Sequence, residues 1–305
     1  MTENFVSIDW GGTHLNGVIF NSIDKALKKK FLKEFELPSS NLKLISDKNL
    51  EEICKNIIKI VKQYVDSKII LLIGAAGVSN DKTADRLINS FKQLSDSFEK
   101  IEIYPDFLCN HAAYLNGKDG ILSINGTGSI LFGVNGKKQI RHGGWGYIFD
   151  ETPSGSYFGK KYIEAVLSGL DGNKSFEYYV NDFKNNNNFI EREEILNRIY
   201  MASSPQNYLG NYSKYLIKAY EANEVYAVET INKSIDRLSK SILDLATYLD
   251  LKRVRFCGSG GLWKNWKALK NMLNVSCEKL GVQLIWEENG IPLNLGPFLC
   301  YKSKS

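Results

Sequence analysis

Three glycine-rich stretches, each directly after a run of β-branched and aromatic residues, constrain this chain more than any other feature. They are residues 8–13 (IDWGGT), 124–129 (INGTGS) and 256–261 (FCGSGG). A glycine turn after a strand lets backbone N–H groups approach a phosphate, because no Cβ stands in the way. One such turn is weak evidence, but three at these positions suggest a nucleotide held from several sides by a two-lobed protein.

The length and composition fit a soluble protein of two ordinary domains. The chain has 305 residues, of which 43% are hydrophobic and 24% charged. The net charge of +5 is dispersed, and its densest cluster, Lys28 to Lys30, is predicted to be a solvated turn. Binding to nucleic acid needs a broad basic face, so no nucleic-acid partner is expected.

Cysteine spacing and apolar runs restrict the cellular context. The five cysteines are an odd number without C-x-x-C spacing, and the three histidines follow no metal-ligand spacing. The first apolar run is interrupted by Asp9, and no run of about 18 apolar residues occurs. We therefore expect a cytoplasmic protein without a signal segment, a membrane partner or a zinc site.

The first 110 residues are predicted to form one α/β layer set, in which a three-strand meander precedes helix–strand–helix–strand. The predicted elements are strands 4–9, 15–20 and 31–37, helix 49–65, strand 68–73, helix 83–99 and strand 101–104.

Residues 120–134 repeat the pattern of strand, glycine turn and strand, which indicates a second, similar lobe. Periodicity then predicts helices over 157–168 and 224–249 and strands over 254–256 and 283–286. The polar stretch 171–188 is predicted to be a loop or insertion without chemistry.

The first turn has the residue types of a magnesium–phosphate site. Asp9 follows a strand and can bind Mg²⁺ directly or through water. Thr13 and the N–H groups of Gly11 and Gly12 can hold phosphate oxygens. An ordinary hairpin turn is the alternative.

The second turn, Gly126-Thr127-Gly128-Ser129, does not fit the commonest nucleotide motifs. A dinucleotide fingerprint would need glycine where Leu131 stands, and no G-x-x-x-x-G-K-[ST] sequence occurs. The remaining interpretation of this turn is a second hairpin whose backbone and hydroxyl groups face a phosphate.

The third turn and a lone aspartate complete the predicted catalytic set. Gly258-Ser259-Gly260-Gly261 could form a flat floor for adenine or ribose, or a tightly packed helix start. Asp106 ends a short strand and could accept a hydroxyl proton, or it could act as a helix N-cap.

A glycine-rich loop around a tryptophan suggests a sugar site. In residues 141–151, Gly144 and Gly146 flank Trp145, and Asp150 follows. Aromatic or backbone surface suits the C–H face of a sugar, and carboxylates accept from its hydroxyls. A core tryptophan in a tight loop is the alternative.

Taken together, these motifs resemble the N-acetylglucosamine kinase family of the sugar kinase, actin and heat-shock chaperone superfamily. The resemblance runs from Asp9 to about Leu299 and rests on the order of D-x-G-G-T, Asp106, G-T-G-S, G-G-W-G with D-E, and G-S-G-G-L-W-K-x-W. It implies an α/β fold of two ribonuclease-H-like lobes with an interlobe nucleotide cleft. The implied lobes are residues 1–112 and 113–305, with the last helix, about 292–303, returning to the first lobe.

The resemblance also implies residue roles. Asp106 would be the catalytic base, and Asp9 would hold Mg²⁺ through water. The implied ATP-binding residues are Asp9, Gly11, Gly12, Thr13, Gly126, Thr127, Gly128, Gly258, Ser259, Gly260 and Gly261. The implied sugar-binding residues are Asn41, Asp106, Gly144, Trp145, Gly146 and Asp150. The sequence departs from the family pattern at Trp10, in place of a glycine, and at Thr152-Pro153, inserted after Glu151.

The expected activity is phosphorylation of an amino sugar by ATP with Mg²⁺, with N-acetylglucosamine yielding its 6-phosphate. Other sugars (glucosamine, N-acetylmuramate or glucose), a sugar-binding regulator and an ATPase acting on a partner protein stay open, as does a homodimer. The chain also resembles ATPase activators of benzoyl-CoA reductases and 2-hydroxyacyl-CoA dehydratases. Those activators ligate an iron–sulfur cluster with paired cysteines, and no suitable pair lies between the second turn and the tryptophan loop.

Overall fold

The computed structural model describes residues 3–11, 14–40, 42, 45–78, 81–288 and 290–303. The chain divides into two compact units, Met1–Lys118 with Glu287–Ser305 and Asp119–Trp286. We call them unit 1 and unit 2. The boundary predicted after residue 112 falls inside a helix that runs from Asp106 to Tyr114 and belongs to unit 1.

Each unit contains one five-stranded sheet within the described residues, and the two sheets have the same topology. The strands are β1 Asn4–Trp10, β2 His14–Phe20, β3 Lys33–Pro38, β4 Ile69–Ala75, β5 Phe98–Pro105, β6 Gly120–Asn125, β7 Ser129–Asn135, β8 Lys138–Gly143, β9 Val254–Ser259 and β10 Leu284–Trp286. The strand orders are β3-β2-β1-β4-β5 and β10-β9-β6-β7-β8. In each sheet the first three strands form an antiparallel meander, and the last two extend the sheet parallel to the first strand.

The helices cover the faces of these sheets. They are α1 Ile23–Leu27, α2 Asp47–Val61, α3 Asp81–Leu94, α4 Asp106–Tyr114, α5 Gly155–Leu170, α6 Glu177–Asn186, α7 Arg192–Tyr200, α8 Pro205–Gly210, α9 Ser213–Glu221, α10 Val225–Tyr248, α11 Gly261–Asn265, α12 Ala268–Lys279 and α13 Gly296–Lys302. Short 3₁₀ turns occupy Lys174–Phe176 and Leu293–Leu295.

In unit 1 the sheet has an apolar core on each of its two faces. Alternate residues of a strand point to opposite sides of a sheet, so Val6 and Ile8 join the core beneath α2 and α3. Phe5 points the other way and packs with Phe298 of α13. β4 is buried along its whole length, as expected of a central parallel strand covered on both sides.

In unit 2 one large core joins the sheet to the helices. The apolar stripe of α10, which includes Ile231, Leu238 and Leu245, is buried against it. A 3.6-residue repeat of apolar side chains places such a stripe on one helical face. The predicted helix over 224–249 therefore corresponds closely to α10.

The prediction of a loop over 171–188 is wrong. Lys174–Phe176 forms a 3₁₀ turn and Glu177–Asn186 forms α6. Tyr179 and Phe183 are spaced four residues apart and are both buried in the core, where the Tyr162 ring lies edge-on to Tyr179 and tilted against Phe183. These two aromatic residues on one helical face help to hold the polar segment on the protein, because each buries a large apolar area.

Within the described part of the chain, no helix has both the length and the apolar character that a membrane crossing requires.

Candidate functional site

Asp9 lies at the carboxyl end of β1, where the first glycine turn begins. Across the sheet it is paired with Asn16 of β2 and Gly74 of β4. In the turn, the N–H of Gly11 donates to the carbonyl of His14 over 2.9 Å, and a Cβ on Gly11 would lie 2.9 Å from that oxygen. The turn therefore needs glycine at this position. Gly12 and Thr13, also predicted to bind phosphate, lie outside the described residues.

Asp106 is the first residue of α4, directly after β5. The strands β1, β4 and β5 are neighbours and run parallel, so Asp9 and Asp106 share one edge of the sheet. Two strand spacings separate their strands by about 10 Å. The helix N-cap position belongs to Pro105, and Asp106 Oδ1 accepts from the N–H of Phe107 over 2.8 Å. The N-cap alternative for Asp106 is therefore wrong.

The two carboxylates influence each other. Burial, and secondly the negative charge of Asp106, raise the pKa of Asp9 to about 6. The cause is that a partly desolvated carboxylate near a second one is costly to ionise. A cation placed beside Asp9 would remove that cost.

A cavity of about 530 Å³ in unit 1 opens beside Asp9. Its lining residues are Asp9, Asn16, Glu34, Phe35, Glu36, Leu293 and Asn294. Asn294 is buried, and its Oδ1 has no hydrogen-bond partner among the described residues. The cavity is rich in oxygen acceptors, which suits cations and hydroxyl donors.

The segment after β3 packs against the first turn. Ser39 donates through Oγ to the carbonyl of Gly11 over 2.8 Å, and the indole N–H of Trp10 donates to the carbonyl of Ser40 over 3.1 Å. Trp10 itself is fully buried. Asn41, predicted to contact a sugar, lies outside the described residues.

In unit 2 the second glycine turn connects β6 and β7. Gly126 donates to the carbonyl of Gly128 over 3.0 Å. The carbonyls of Gly126 and Thr127 accept from the first two N–H groups of α5, those of Gly155 and Ser156, over 2.7 and 2.9 Å. These bonds anchor the turn to the start of α5, while the Thr127 side chain stays exposed.

The third glycine turn ends β9, which lies parallel to β6. Gly260 has a φ of +102°, and a Cβ there would lie 2.6 Å from the carbonyl oxygen of Asn125. A Cβ on Gly258 would lie 2.4 Å from the ring of Trp263. Glycine at 260 therefore lets the third turn pack closely on the second, and glycine at 258 leaves room for the Trp263 ring.

A cavity of about 720 Å³ in unit 2 brings the second and third turns together. Gly126, Thr127 and Gly261 line it. The other nucleotide residues predicted in unit 2, Gly128, Gly258, Ser259 and Gly260, lie in the same two turns.

The opposite wall of this cavity comes from helices that the sequence analysis did not assign. Its polar residues on α8, on α9 and in the link between them are Asn207, Asn211, Ser213, Lys214, Lys218 and Glu221. Most of them recur every three or four residues, so a polar helical periodicity was the signal that could have found them. Lys218 also donates to Asp182 of α6 over 2.7 Å.

The tryptophan loop follows β8 and turns sharply on three glycines. Gly143, Gly144 and Gly146 have φ values of +75°, +69° and +92°. The loop is held by Arg141, which donates to the carbonyl of Gly144 over 2.9 Å. Trp145 is 68% exposed, so the alternative of a core tryptophan is wrong.

Asp150 is buried at the end of this loop. Its Oδ1 accepts from the N–H and the hydroxyl of Thr152, over 3.1 and 2.5 Å. Its Oδ2 has no donor among the described residues. A buried carboxylate oxygen without a donor is costly, and a ligand hydroxyl would remove that cost. The next residue, Glu151, forms an ion pair with Arg237.

All five cysteines of the chain are buried. In unit 1, the Sγ atoms of Cys109 on α4 and Cys300 on α13 lie 4.0 Å apart, and burial raises the pKa of the Cys109 thiol. In the part of the chain that is described, no group of three or more histidine, cysteine or acidic side chains is arranged to hold a metal ion.

Several known proteins of similar sequence or structure are named as sugar kinases. A curated N-acetylmuramic acid/N-acetylglucosamine kinase from Clostridium acetobutylicum is 24% identical over 285 residues, which is 91% of this chain and 92% of that protein. A candidate N-acetylglucosamine kinase from Porphyromonas gingivalis superimposes with a TM-score of 0.66 at 16% identity, covering 99% of both chains. One from Chromobacterium violaceum gives a TM-score of 0.65 at 18% identity, covering 97% of this chain and 98% of that one.

These structural likenesses show the fold, which is the α/β fold of the actin and sugar kinase group, with two lobes of like topology. The family model of the BadF/BadG/BcrA/BcrD ATPases matches residues 6–288, nearly the whole chain. The protein therefore belongs to the BadF/BadG/BcrA/BcrD ATPase family.

Proposed function

We propose that this protein transfers the γ-phosphate of ATP to a hydroxyl of an amino sugar. The observation that carries the proposal is the pair of carboxylates at one edge of the unit 1 sheet, Asp9 and Asp106. One of them is costly to ionise without a cation, and the other stands at the start of a helix where it can meet a substrate hydroxyl.

The nucleotide part of the proposal rests on unit 2. We infer that the cavity lined by Gly126, Thr127 and Gly261 takes the nucleotide, with the polar face of α8 and α9 on its other side. A volume of about 720 Å³ is in the range of small-molecule sites. Membership of an ATPase family supports this assignment.

Asp9 suits a magnesium ion that accompanies the nucleotide. Mg²⁺ prefers carboxylate oxygen and keeps several waters, and Asp9 is a half-buried carboxylate whose charge is uncompensated. When bound there, the ion would neutralise phosphate charge.

Asp106 would act as the general base. Its carboxylate would accept the proton of the sugar 6-hydroxyl as that oxygen attacks the γ-phosphorus. Phosphoryl transfer depends chiefly on positioning and charge stabilisation, and a positioned base contributes typically about 10²–10⁴-fold. Asp106 is thus expected to matter more for turnover than for nucleotide affinity.

The sugar part of the proposal rests on the loop that follows β8. The exposed ring of Trp145 offers an aromatic face, and Asp150 Oδ2 offers an acceptor for a sugar hydroxyl. Gly144 and Gly146 keep the backbone beside Trp145 free of side chains. We propose N-acetylglucosamine as the substrate, and the named activity of the Clostridium acetobutylicum relative supports this choice.

A coupled assay of ADP release tests the proposal. The purified protein is supplied with MgATP and, one at a time, N-acetylglucosamine, N-acetylmuramate, N-acetylmannosamine, glucosamine and glucose. We expect turnover to depend on the sugar and to be fastest with N-acetylglucosamine. ADP release at the same rate with and without every sugar would contradict the proposal.

An ATPase that drives a partner protein is the second candidate, because the family is named for ATPases. ATP turnover that no sugar accelerates would favour it. The iron–sulfur activators that the sequence also resembles need accessible cysteines, and all five cysteines here are buried. This observation counts against an iron–sulfur activator, and the named kinase activity of the Clostridium acetobutylicum relative supports the sugar kinase over the second candidate.

A further inference from the structure

Asn125, the last residue of β6, is fully buried and uses both ends of its amide group. Its Oδ1 accepts from the indole N–H of Trp263 over 2.7 Å and from the hydroxyl of Ser123 over 2.6 Å. Its Nδ2 donates to the carbonyl of Pro153 over 2.7 Å and to the hydroxyl of Ser129 over 3.0 Å. The orientation of the amide follows from its partners, since an indole N–H can only donate and a carbonyl can only accept.

Two of these bonds, those to Trp263 and Pro153, join three separate segments of the chain. Asn125 itself precedes the second glycine turn. Trp263 lies in α11, directly after the third glycine turn, and Pro153 lies in the loop that continues from Trp145 and Asp150. One side chain is therefore bonded to the second turn at Ser129, to the helix that follows the third turn and to the proposed sugar loop.

The packing around Asn125 leaves little freedom for these segments to move separately. The third turn approaches the backbone of Asn125 so closely that a Cβ on Gly260 would lie 2.6 Å from its carbonyl oxygen. On the other side, Thr152 is bonded to Asp150 through its N–H and its hydroxyl, and Pro153 is the next residue. A continuous path of bonds thus runs from Asp150 through Thr152 and Pro153 to the Asn125 amide.

We propose that Asn125 is a positioning residue that couples nucleotide binding to sugar binding within unit 2. The inference rests on the proposed function and adds to it a prediction of cooperativity. A ligand that orders the loop at Asp150 would fix the Asn125 amide, and through it the two nucleotide turns. Coupling between two sites is reciprocal, so nucleotide would raise the affinity for sugar by the same factor.

Calorimetric titration of the full-length protein measures this coupling. The probes are AMPPNP with Mg²⁺ and N-acetylglucosamine, each titrated alone and in the presence of the other at saturation. For the wild type we expect each ligand to tighten the other by about fivefold or more, the lower end of typical coupling.

N125D removes the connection to the sugar loop. A carboxylate still accepts from Trp263, but it has no amide donor and places an oxygen against the carbonyl of Pro153. We expect the coupling factor to fall below about twofold, with weaker binding of the sugar in the absence of nucleotide.

W263F cuts the other connection, because phenylalanine has no N–H to donate to Asn125. We expect the same loss of coupling, but with weaker binding of AMPPNP in the absence of sugar. If N125D does not fold, the coupling factor measured for W263F tests the proposal by itself.

N135D is the matched control. Asn135 lies in the same sheet, and its Nδ2 donates to the carbonyl of Leu249 over 2.7 Å, away from all three segments. Its change to aspartate removes a comparable bond, and we expect the coupling factor to stay at the wild-type value.

The outcomes separate the two proposals. A wild type that binds both ligands without coupling overturns the inference and leaves the proposed function standing, as does wild-type coupling in N125D or W263F. A loss of stability in N125D with both affinities reduced equally also overturns it, because that is the result of a purely structural role. A wild type that binds neither ligand overturns both proposals.

Discussion

The fold raises the pKa of Asp9, the residue that we propose binds magnesium. Its pKa is raised from an ordinary value of 3.8 to about 6, first by burial and then by Asp106. The folded state thus holds the proton more tightly than the unfolded state, so stability falls as the pH rises from about 4 through about 6. Above that window the ionised carboxylate costs at most about 3 kcal/mol in the ligand-free protein.

We therefore expect D9N to stabilise the ligand-free protein at pH 8, and to do so much less at pH 4. Thermal melts at both pH values check this. The control is D85N, which changes an exposed aspartate on α3 of the same unit. A gain in stability that is equal at the two pH values would contradict the assignment of the raised pKa to Asp9.

The second prediction at the residue scale concerns Asp106, the proposed general base. D106N keeps the size of the side chain but cannot accept a proton. We expect AMPPNP to bind within about twofold of the wild type, while sugar-dependent ADP release falls by about 10²–10⁴-fold. Near-full turnover in D106N would remove this residue from the role of base.

At the scale of the elements, helices α5 and α8 pack closely against each other because α5 has a glycine, Gly159, at the contact. A Cβ on Gly159 of α5 would lie only 1.7 Å from the carbonyl oxygen of Leu209 in α8. The carbonyl belongs to the backbone, so the helix itself would have to move. These two helices also carry Gly155, Asn207 and Gly210 to the wall of the proposed nucleotide cavity.

We expect G159A to destabilise the protein by about 3 kcal/mol or more, at the upper end of the cost of overpacking. Chemical denaturation measures the loss, and AMPPNP affinity should fall with it because α8 lines the cavity. The control is S168A on the same helix, for which a change within about 0.5 kcal/mol is expected. Wild-type stability in G159A would show that α8 can shift freely.

At the scale of the whole molecule, the chain leaves unit 1 at Lys118 and returns to it at Glu287. The returning segment supplies α13, whose Phe298 contacts Phe5 and Phe20 edge-on, each with ring centroids 5.2 Å apart. The carboxyl-terminal residues are therefore part of the core that holds the Asp9 strand.

F298A tests this dependence. Removal of a buried phenylalanine costs about 3–5 kcal/mol. Because each unit has its own core, hydrogen exchange should accelerate in β1, β2 and β4 of unit 1 while α10 in unit 2 keeps its protection. V275A, at an exposed position in unit 2, is the control and should change neither. Equal acceleration in both units would contradict the independence of the two cores.

Much of the fold was predictable because its signals are local. The alternation in 4–9 and 15–20, the turn between them and the repeat of that pattern over 120–134 all depend on neighbouring residues. The prediction of two lobes with the actin and sugar kinase fold is confirmed. The roles of the predicted site residues stay predictions, and three of those residues, Gly12, Thr13 and Asn41, lie outside the described residues.

The sequence alone determined where strands end in glycine turns and where Asp9 and Asp106 stand, since backbone freedom and apolar periodicity act over a few residues. Only the tertiary structure decided that 171–188 is a helix held by Tyr179 and Phe183, that α8 and α9 form the wall of a cavity, and that Asn125 meets Trp263. The last two residues are 138 positions apart. No local pattern encodes such a contact, because it depends on how the sheet and its helices pack.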